Sequence, residues 1–209
     1  MTEPDAASRP RAVALFDFGG VVIKTPFELH DHAWRGPFDP AADELWRQSQ
    51  EGVITERDYW RLRSTPYFPE ADDPTAAFML DLYARDEADI VRSEVVDLIE
   101  QLRAQGIRVA ALTNDLAAFH PPEWIARMSV IGRFDPLIDL SHHGALKPSA
   151  EAFAYATGTL GAEPQDVVLL DDQAPNVAGA EHAGLTGVWF DVTDPAGSVE
   201  RFRKVLGSI

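Results

Sequence analysis

Four short apolar runs, each ending beside a polar residue, constrain this chain more than any other feature. Ala12–Phe18 (AVALFDF) carries Asp17 and is followed by Gly19-Gly20. Arg108–Thr113 (RVAALT) ends on Thr113-Asn114, Asp166–Leu170 (DVVLL) runs into Asp171-Asp172, and Leu185–Phe190 (LTGVWF) is the fourth. Apolar runs of this length read as strands buried on both faces of a sheet. Amphipathic stretches separate them. Ser93–Gln105 carries Val95, Val96, Leu98, Ile99 and Leu102 and stops at Gly106; Ser149–Leu160 opens on Pro148-Ser149 with Glu151 in its first turn. Ala174–Ala183 ends at Gly184, Ser198–Leu206 closes the chain, and a weaker strand, Pro136–Leu140, sits between the second and third units. This alternation predicts an α/β fold with a Rossmann-like, mostly parallel sheet flanked by helices.

One segment breaks the rhythm. Residues 26–92 are rich in Trp, Tyr, Phe, Arg and acids and hold no convincing strand. Asp39–Gln50, Thr55–Arg63 and Pro74–Ala88 read as helices, with Thr55 and Asp58 spaced as a capping box and Gly52 marking the turn before them. The expected organisation is an α/β core of residues 1–25 and 93–209 with an all-helical cap of residues 26–92 inserted after the first strand. MTEPDAASRPR reads as a loose polar tail rather than a signal peptide. No run approaches the roughly 18 apolar residues of a membrane span.

The charge narrows the partners. Eighteen Lys and Arg against 34 Asp and Glu give a net −16. That argues against nucleic acid or an anionic membrane, both of which need a basic surface. The absence of Cys removes disulfides and thiolate chemistry and fits a reducing cytosol. The expectation is a soluble cytoplasmic protein.

In an open parallel sheet, ligands bind beyond the carboxyl ends of the strands. The residues falling there are Asp17, Thr113, Asn114, Asp171 and Asp172, with Lys147 in a Gly-Ala-Leu-Lys-Pro loop before a helix. Singly, each has a bland reading as a cap or turn residue. Jointly they offer three carboxylates, a hydroxyl, an amide and an ammonium to one crevice. Clustered carboxylates call for a hard cation such as Mg²⁺. An ionised Asp beside one can attack phosphorus or carbon, while Lys147, Thr113 and the amides near Asn114 stabilise the oxygens of the reacting group.

That pattern resembles the haloacid dehalogenase-like hydrolase superfamily from Ala12 to Leu206. FDFGGVV, LTND, LKP and LLDDQAPNVAGAEHAGL look like its four motifs, in order. Within it the chain most resembles the small phosphatases of the α-D-glucose-1-phosphatase-like type, on the first motif, on the cap segment Gln48–Trp60 and on the Asp-Asp-x-x-x-Asn of the fourth. The resemblance implies Asp17 as nucleophile, Thr113 and Asn114 on the phosphoryl group, and Lys147 bridging that group to Asp17. It implies a Mg²⁺ site of Asp17, the Gly19 carbonyl and Asp172, with Asp171 beside it and Asn176 behind. The substrate would be a small phosphorylated metabolite, with a sugar 1-phosphate among the candidates.

Gly19 departs from most of these phosphatases, which carry there an Asp that protonates the leaving group and then activates water; the matched subgroup also has Gly. A good leaving group, a substitute such as His30, Asp31, His32 or His120, or a weak enzyme would each account for it. Two rival readings remain at this point: 2-haloacid dehalogenation by the same Asp, and a catalytically silent binding or regulatory member. The rest read as structural: Trp34, Trp46 and Trp60 as cap core before a sugar-stacking platform, Arg57, Arg61 and Arg63 as a solvated face, and His142-His143 without metal-ligand spacing.

Overall fold

The computed structural model describes residues 12–30 and 34–208. The tail before Arg11 and the candidates Asp31 and His32 lie outside the described residues. Five strands form one all-parallel sheet: β1 Val13–Phe16, β2 Arg108–Thr113, β3 Leu137–Asp139, β4 Val167–Asp171 and β5 Thr186–Trp189, in the order β3-β2-β1-β4-β5. The chain steps outward from β1 to β2 and β3, then returns to β1's other side with β4. The reversal places a crevice where β1 and β4 end together.

Eleven α-helices appear among the described residues. Five fall within residues 26–92: α1 Pro26–Leu29, α2 Glu44–Gln50, α3 Glu56–Ser64, α4 Pro74–Leu82 and α5 Glu87–Ile90. The others are α6 Ser93–Ala104, α7 Leu116–Phe119, α8 Pro122–Arg127, α9 Ala150–Leu160, α10 Ala174–His182 and α11 Pro195–Leu206. The fold is thus a Rossmann-like α/β sheet with a small helical cap inserted after β1.

Alternation along the strands divides the core into two layers. Leu15, Ala110, Leu112 and Leu169 face Ala152, Phe153 and Leu160 of α9. Ala14, Phe16, Ala111 and Leu170 face α6 and α11 through Leu98, Leu102, Val199 and Phe202. Each fully buried Leu or Phe in these layers contributes about 1.5–3 kcal/mol. The second layer continues into Trp46, Tyr59, Trp60 and Phe78 of the insertion, so cap and core share one apolar cluster.

Three helices differ from their sequence expectation, each for a local reason. The helix expected over Asp39–Gln50 starts only at Glu44, because the Asp43 carboxylate accepts the N–H of Trp46 and caps it there. The helix expected over Pro74–Ala88 ends at Leu82. The Tyr83 carbonyl beyond it accepts hydrogen bonds from Trp124 Nε1 and Arg127, both 2.9 Å, and α5 follows separately. The last helix begins earlier than expected, at Pro195, with the Asp194 side chain accepting from Gly197 N–H. The capping box of Thr55 and Asp58 is present as the spacing predicts.

The two chain segments joining cap to core run side by side. Lys24 N–H donates to Ile90 O at 2.8 Å and Arg92 N–H to Val22 O at 3.0 Å. Buried Arg92 clamps both: it pairs bidentately with Glu28 at 2.8 and 2.6 Å and donates through Nε to Gly20 O at 3.1 Å.

Candidate active site

The crevice beyond β1 and β4 contains the carboxylates expected there. Ligand atoms of Asp17, Asp171 and Asp172 lie within 4.8 Å of one another. Lys147, carried by the loop before α9, places Nζ 2.9 Å from Asp17 Oδ1 and 2.7 Å from Asp171 Oδ2. Its loop is held by Asn114, whose side-chain amide accepts from Lys147 N–H at 2.9 Å and donates to Lys147 O at 3.1 Å. Sequence reasoning places Asn114 on the phosphoryl group; in the structure its side chain first clasps the lysine. Thr113 is buried at the end of β2 and lines the same pocket.

The three acids differ in how they are satisfied. Asp171 is fully buried, and its two oxygens accept from Lys147, from the Gln173 N–H and twice from Asn176 Nδ2. Asn176 therefore acts through Asp171, as its position behind the site suggests. Asp17 receives Lys147 and the Phe18 N–H on Oδ1 and no hydrogen bond on Oδ2 among the described residues. Among the described residues the Asp172 carboxylate accepts only from Gln173 Nε2, at 3.1 Å, while its main-chain carbonyl is fixed by Trp189 Nε1 at 2.9 Å.

Electrostatics follows from that imbalance. Burial pushes the Asp17 carboxyl up to about 7, with Lys147 opposing and Asp171 adding to the rise. Burial raises Asp172 as well, reinforced by Asp17 and Asp171. Burial alone would depress Lys147, but Asp17 and Asp171 outweigh it and hold the ammonium charged. Three carboxylates against one ammonium leave two negative charges uncompensated, and the donors available are hard oxygens. Such a set fits a divalent cation of the Mg²⁺ type.

The pocket over this cluster encloses about 720 Å³, part of it open to solvent. Its far wall comes from the cap: Phe27, Trp46, Glu56, Trp60, Met79 and Tyr83. Trp46 and Trp60 are buried core residues, each with its ring 5.3 Å from Phe27, and they also form pocket wall.

The arginines qualify the solvated-face reading: Arg57 and Arg61 are exposed, yet Arg57 and Arg63 are tied to distant partners. Arg57 reaches across to the core, where Nε meets Asp115 Oδ1 at 2.6 Å, and Arg63 pairs with buried Asp43; Arg61 pairs with Asp58 at the surface. Partners 58 and 20 residues away in sequence cannot be read from a helix face. His120 lines the pocket, stacked on Trp124 at 3.8 Å, and burial with Arg127 nearby lowers its pKa to about 4. His30 is exposed, and His143 packs on Tyr155.

Four residues escape the sequence reading. Gly20 has φ +78°, and an added Cβ would lie 2.5 Å from Asp172 Cγ; the second glycine of FDFGG is its only signal. Gln173 links the Asp172 carboxylate to Gln50 of the cap, at 3.1 and 2.7 Å. Arg92 leaves no motif at all. Glu56 reads in sequence as an ordinary first-turn acid.

Comparison with known proteins agrees with the fold. Glyceraldehyde 3-phosphate phosphatase of Methanopyrus kandleri is 28% identical over 98 residues, covering 46% of this chain and 41% of the relative. Drimenol cyclase drtB of Aspergillus calidoustus is 25% identical over 156 residues, covering 72% and 28%. The chain thus spans well under half the length of these curated relatives. Among solved structures, the putative HAD-hydrolase YfnB of Bacillus subtilis, bound to magnesium, superposes with TM-score 0.62 at 19% identity over 87% of each chain. The L-2-haloacid dehalogenase of Xanthobacter autotrophicus gives 0.52 at 18% over 86% and 77%. Among the described residues, no helix is long and apolar enough to cross a membrane. The family model of haloacid dehalogenase-like hydrolases matches residues 12–184, and this chain belongs to that family.

Proposed function

We propose that the protein is a Mg²⁺-dependent phosphohydrolase that cleaves a small phosphomonoester through an aspartyl-phosphate on Asp17. The observation that carries this reading is the surplus of clustered carboxylate over ammonium at the mouth of β1 and β4. Asp17, the Gly19 carbonyl and Asp172 would hold the cation, with Asp171 beside them. The cation would supply charge neutralisation for the transferring phosphoryl oxygens. The chain's own residues do the rest. Asp17 attacks phosphorus in line, Lys147 bridges nucleophile and phosphoryl oxygen, and Thr113 with the amides near Asn114 holds the remaining oxygens. The cap wall of Phe27, Trp46, Glu56, Trp60, Met79 and Tyr83 would cover the site and exclude bulk water during transfer.

The same geometry weighs against 2-haloacid dehalogenation. Such a substrate brings its own carboxylate, yet the pocket is lined by Asp17, Glu56, Asp115 and Asp172, and Lys147 is its single cationic side chain among the described residues. The aromatic wall favours an uncharged organic group, which leaves sugar phosphates and more apolar esters both in scope. A silent binding role is disfavoured by Asp17, whose Oδ1 is held by Lys147 while its Oδ2 accepts no hydrogen bond among the described residues.

A phosphate-release screen over small phosphomonoesters, with Mg²⁺ and with chelator, tests the proposal. Mg²⁺-dependent turnover is expected. No release from any substrate, and none gained by Gly19→Asp, would overturn it.

A further inference from the structure

Gly19 leaves the reaction without its usual proton carrier, and the structure leaves that place open. Gly19 is exposed to the pocket, and a Cβ built on it would meet nothing within 4 Å. An alkoxide leaving group still needs a proton, and water still needs a base. The question is which pocket residue can serve both needs.

Most titratable side chains in the pocket are already committed. Asp17 and Asp172 belong to the nucleophile and cation cluster. Asp115 is held by Arg57 at 2.6 Å, and Tyr83 donates its hydroxyl to Lys24 O at 2.7 Å. His120 lies flat on Trp124 and is neutral at pH 7, a poor acid and a weak base.

Glu56 differs from all of them. It stands at the first position of α3, on the cap wall of the pocket that Asp17 lines from the core. Among the described residues it makes one hydrogen bond, accepted by Oε1 from Trp60 Nε1 at 3.3 Å. Among the described residues no cation pairs with it, because Arg57 and Arg61 on the same helix turn to Asp115 and Asp58. Asp115, Asp17, Asp171, Asp172 and Tyr83 are the titratable groups facing it, with Lys147 already bound by its two carboxylates. Burial, then Asp115 and Asp17, push its carboxyl up to about 8, against the Trp60 hydrogen bond and the helix N-terminus, which favour the anion. At neutral pH it holds a proton that it can give up.

We propose that Glu56, reaching the site from the cap, is the general acid and base that Gly19 does not provide. The inference rests on the aspartyl-phosphate reading above. As Asp17 attacks, the bond from phosphorus to the leaving oxygen breaks; its electron pair stays on that oxygen, which takes the Glu56 proton and departs as the alcohol. The Glu56 carboxylate then takes a proton from water, whose oxygen attacks phosphorus. The bond to Asp17 breaks with its electron pair returning to the carboxylate, inorganic phosphate leaves, and Glu56 is protonated again. Because the acid rides on the cap, catalysis would be complete only with the cap over the core.

The test compares Glu56→Gln with wild type on an alkyl phosphate and on p-nitrophenyl phosphate, at saturating Mg²⁺, across pH. Gln keeps the acceptor for Trp60, and the thermal midpoint monitors folding. kcat/KM reports the steps through leaving-group departure, so the proposal expects a loss of about 10²–10³-fold on the alkyl ester and less than about tenfold on the nitrophenyl ester. The alkaline limb near the Glu56 pKa should vanish from the alkyl profile, and Gly19→Asp in the Glu56→Gln background should restore alkyl turnover at least tenfold. Equal losses on both esters, or an unchanged alkaline limb, would overturn the role of Glu56 while leaving the phosphatase reading intact. Should Glu56→Gln unfold, Glu56→Ala with added acetate replaces it, and failure of acetate to raise alkyl turnover overturns the proposal. A wild type inactive on every ester would remove both readings.

Discussion

Two groups of buried carboxylate invite comparison, one in the cap and one in the core. Asp43 in the cap accepts from Trp46 N–H at 3.0 Å, Gly36 N–H at 3.1 Å, Tyr59 Oη at 2.9 Å and the Arg63 guanidinium. Burial opposes its ionisation, but those donors prevail and hold its pKa below the usual carboxylate range. Asp17 and Asp172 in the core have fewer donors and shift upward. A satisfied buried acid fastens structure; an unsatisfied pair keeps its lone pairs for something that arrives from outside. Asp171, saturated like Asp43, shows that both kinds sit within one cluster.

The sharpest way to break this contrast is to neutralise one acid of each kind. Asp17→Asn should lower phosphohydrolase activity by more than about 10⁴-fold while leaving the thermal midpoint equal to or above wild type, since it removes an under-paired buried charge. A full-activity variant would return Asp17 to the bland reading. Asp43→Ala should do the reverse: a loss of about 3–5 kcal/mol in denaturant unfolding, because Arg63 and three other donors lose their acceptor. A stability change under about 1 kcal/mol would show that the Asp43 hub holds little.

Cation binding sharpens the same point by a smaller amount. Mg²⁺ at a hundred times its Kd should stabilise the wild type by about 2.7 kcal/mol, read as a concentration-dependent rise in Tm. Gly20→Ala should abolish most of that rise, since the new Cβ displaces the Asp172 carboxylate. A Mg²⁺ response unchanged in the variant would detach Asp172 from the cation site.

The smallest effect concerns pH. The Glu56 carboxyl titrates near 8 in the folded protein against 4.5 for the free side chain. Between those values the native state holds a proton that the unfolded chain has released, so this group costs stability as pH rises through the window and adds nothing further above it. Glu56→Gln removes the cost. Its stability relative to wild type should grow by on the order of 1–3 kcal/mol from pH 5 to pH 8, after allowance for screening at the pocket mouth. A pH-independent difference would mean that Glu56 is ionised throughout.

Legibility in the sequence divides along the same boundary between core and cap. Asp17, Thr113, Asp171 and Asp172 could be placed because a parallel strand fixes where its last residue lies, and Lys147 because a loop before a helix returns to the same edge. The order of the motifs along the chain carried that much of the site. Glu56 could not be placed so, because a glutamate opening a helix is what the macrodipole favours anywhere. Its place on the pocket wall beside Trp60 depends on how Phe27, Trp46 and Trp60 pack together, residues that converge only in three dimensions. The ion pair of exposed Arg57 is hidden from the sequence for the same reason: its partner, Asp115, lies 58 residues away. Asp43 shows the limit within the cap itself, where composition suggested one longer helix and a single capping carboxylate shortened it.

On the proposed reading, Asp17 carries the phosphoryl group between substrate and water. Acid-quenching the enzyme during turnover of a phosphomonoester with Mg²⁺, then mapping peptides by mass spectrometry, tests it directly. A hydroxylamine-labile phosphoryl adduct on the peptide containing Asp17, absent from Asp17→Asn, is the expected result. Sustained phosphate release with an adduct on another residue, or an Asp17→Asn variant that still accumulates one, would contradict it.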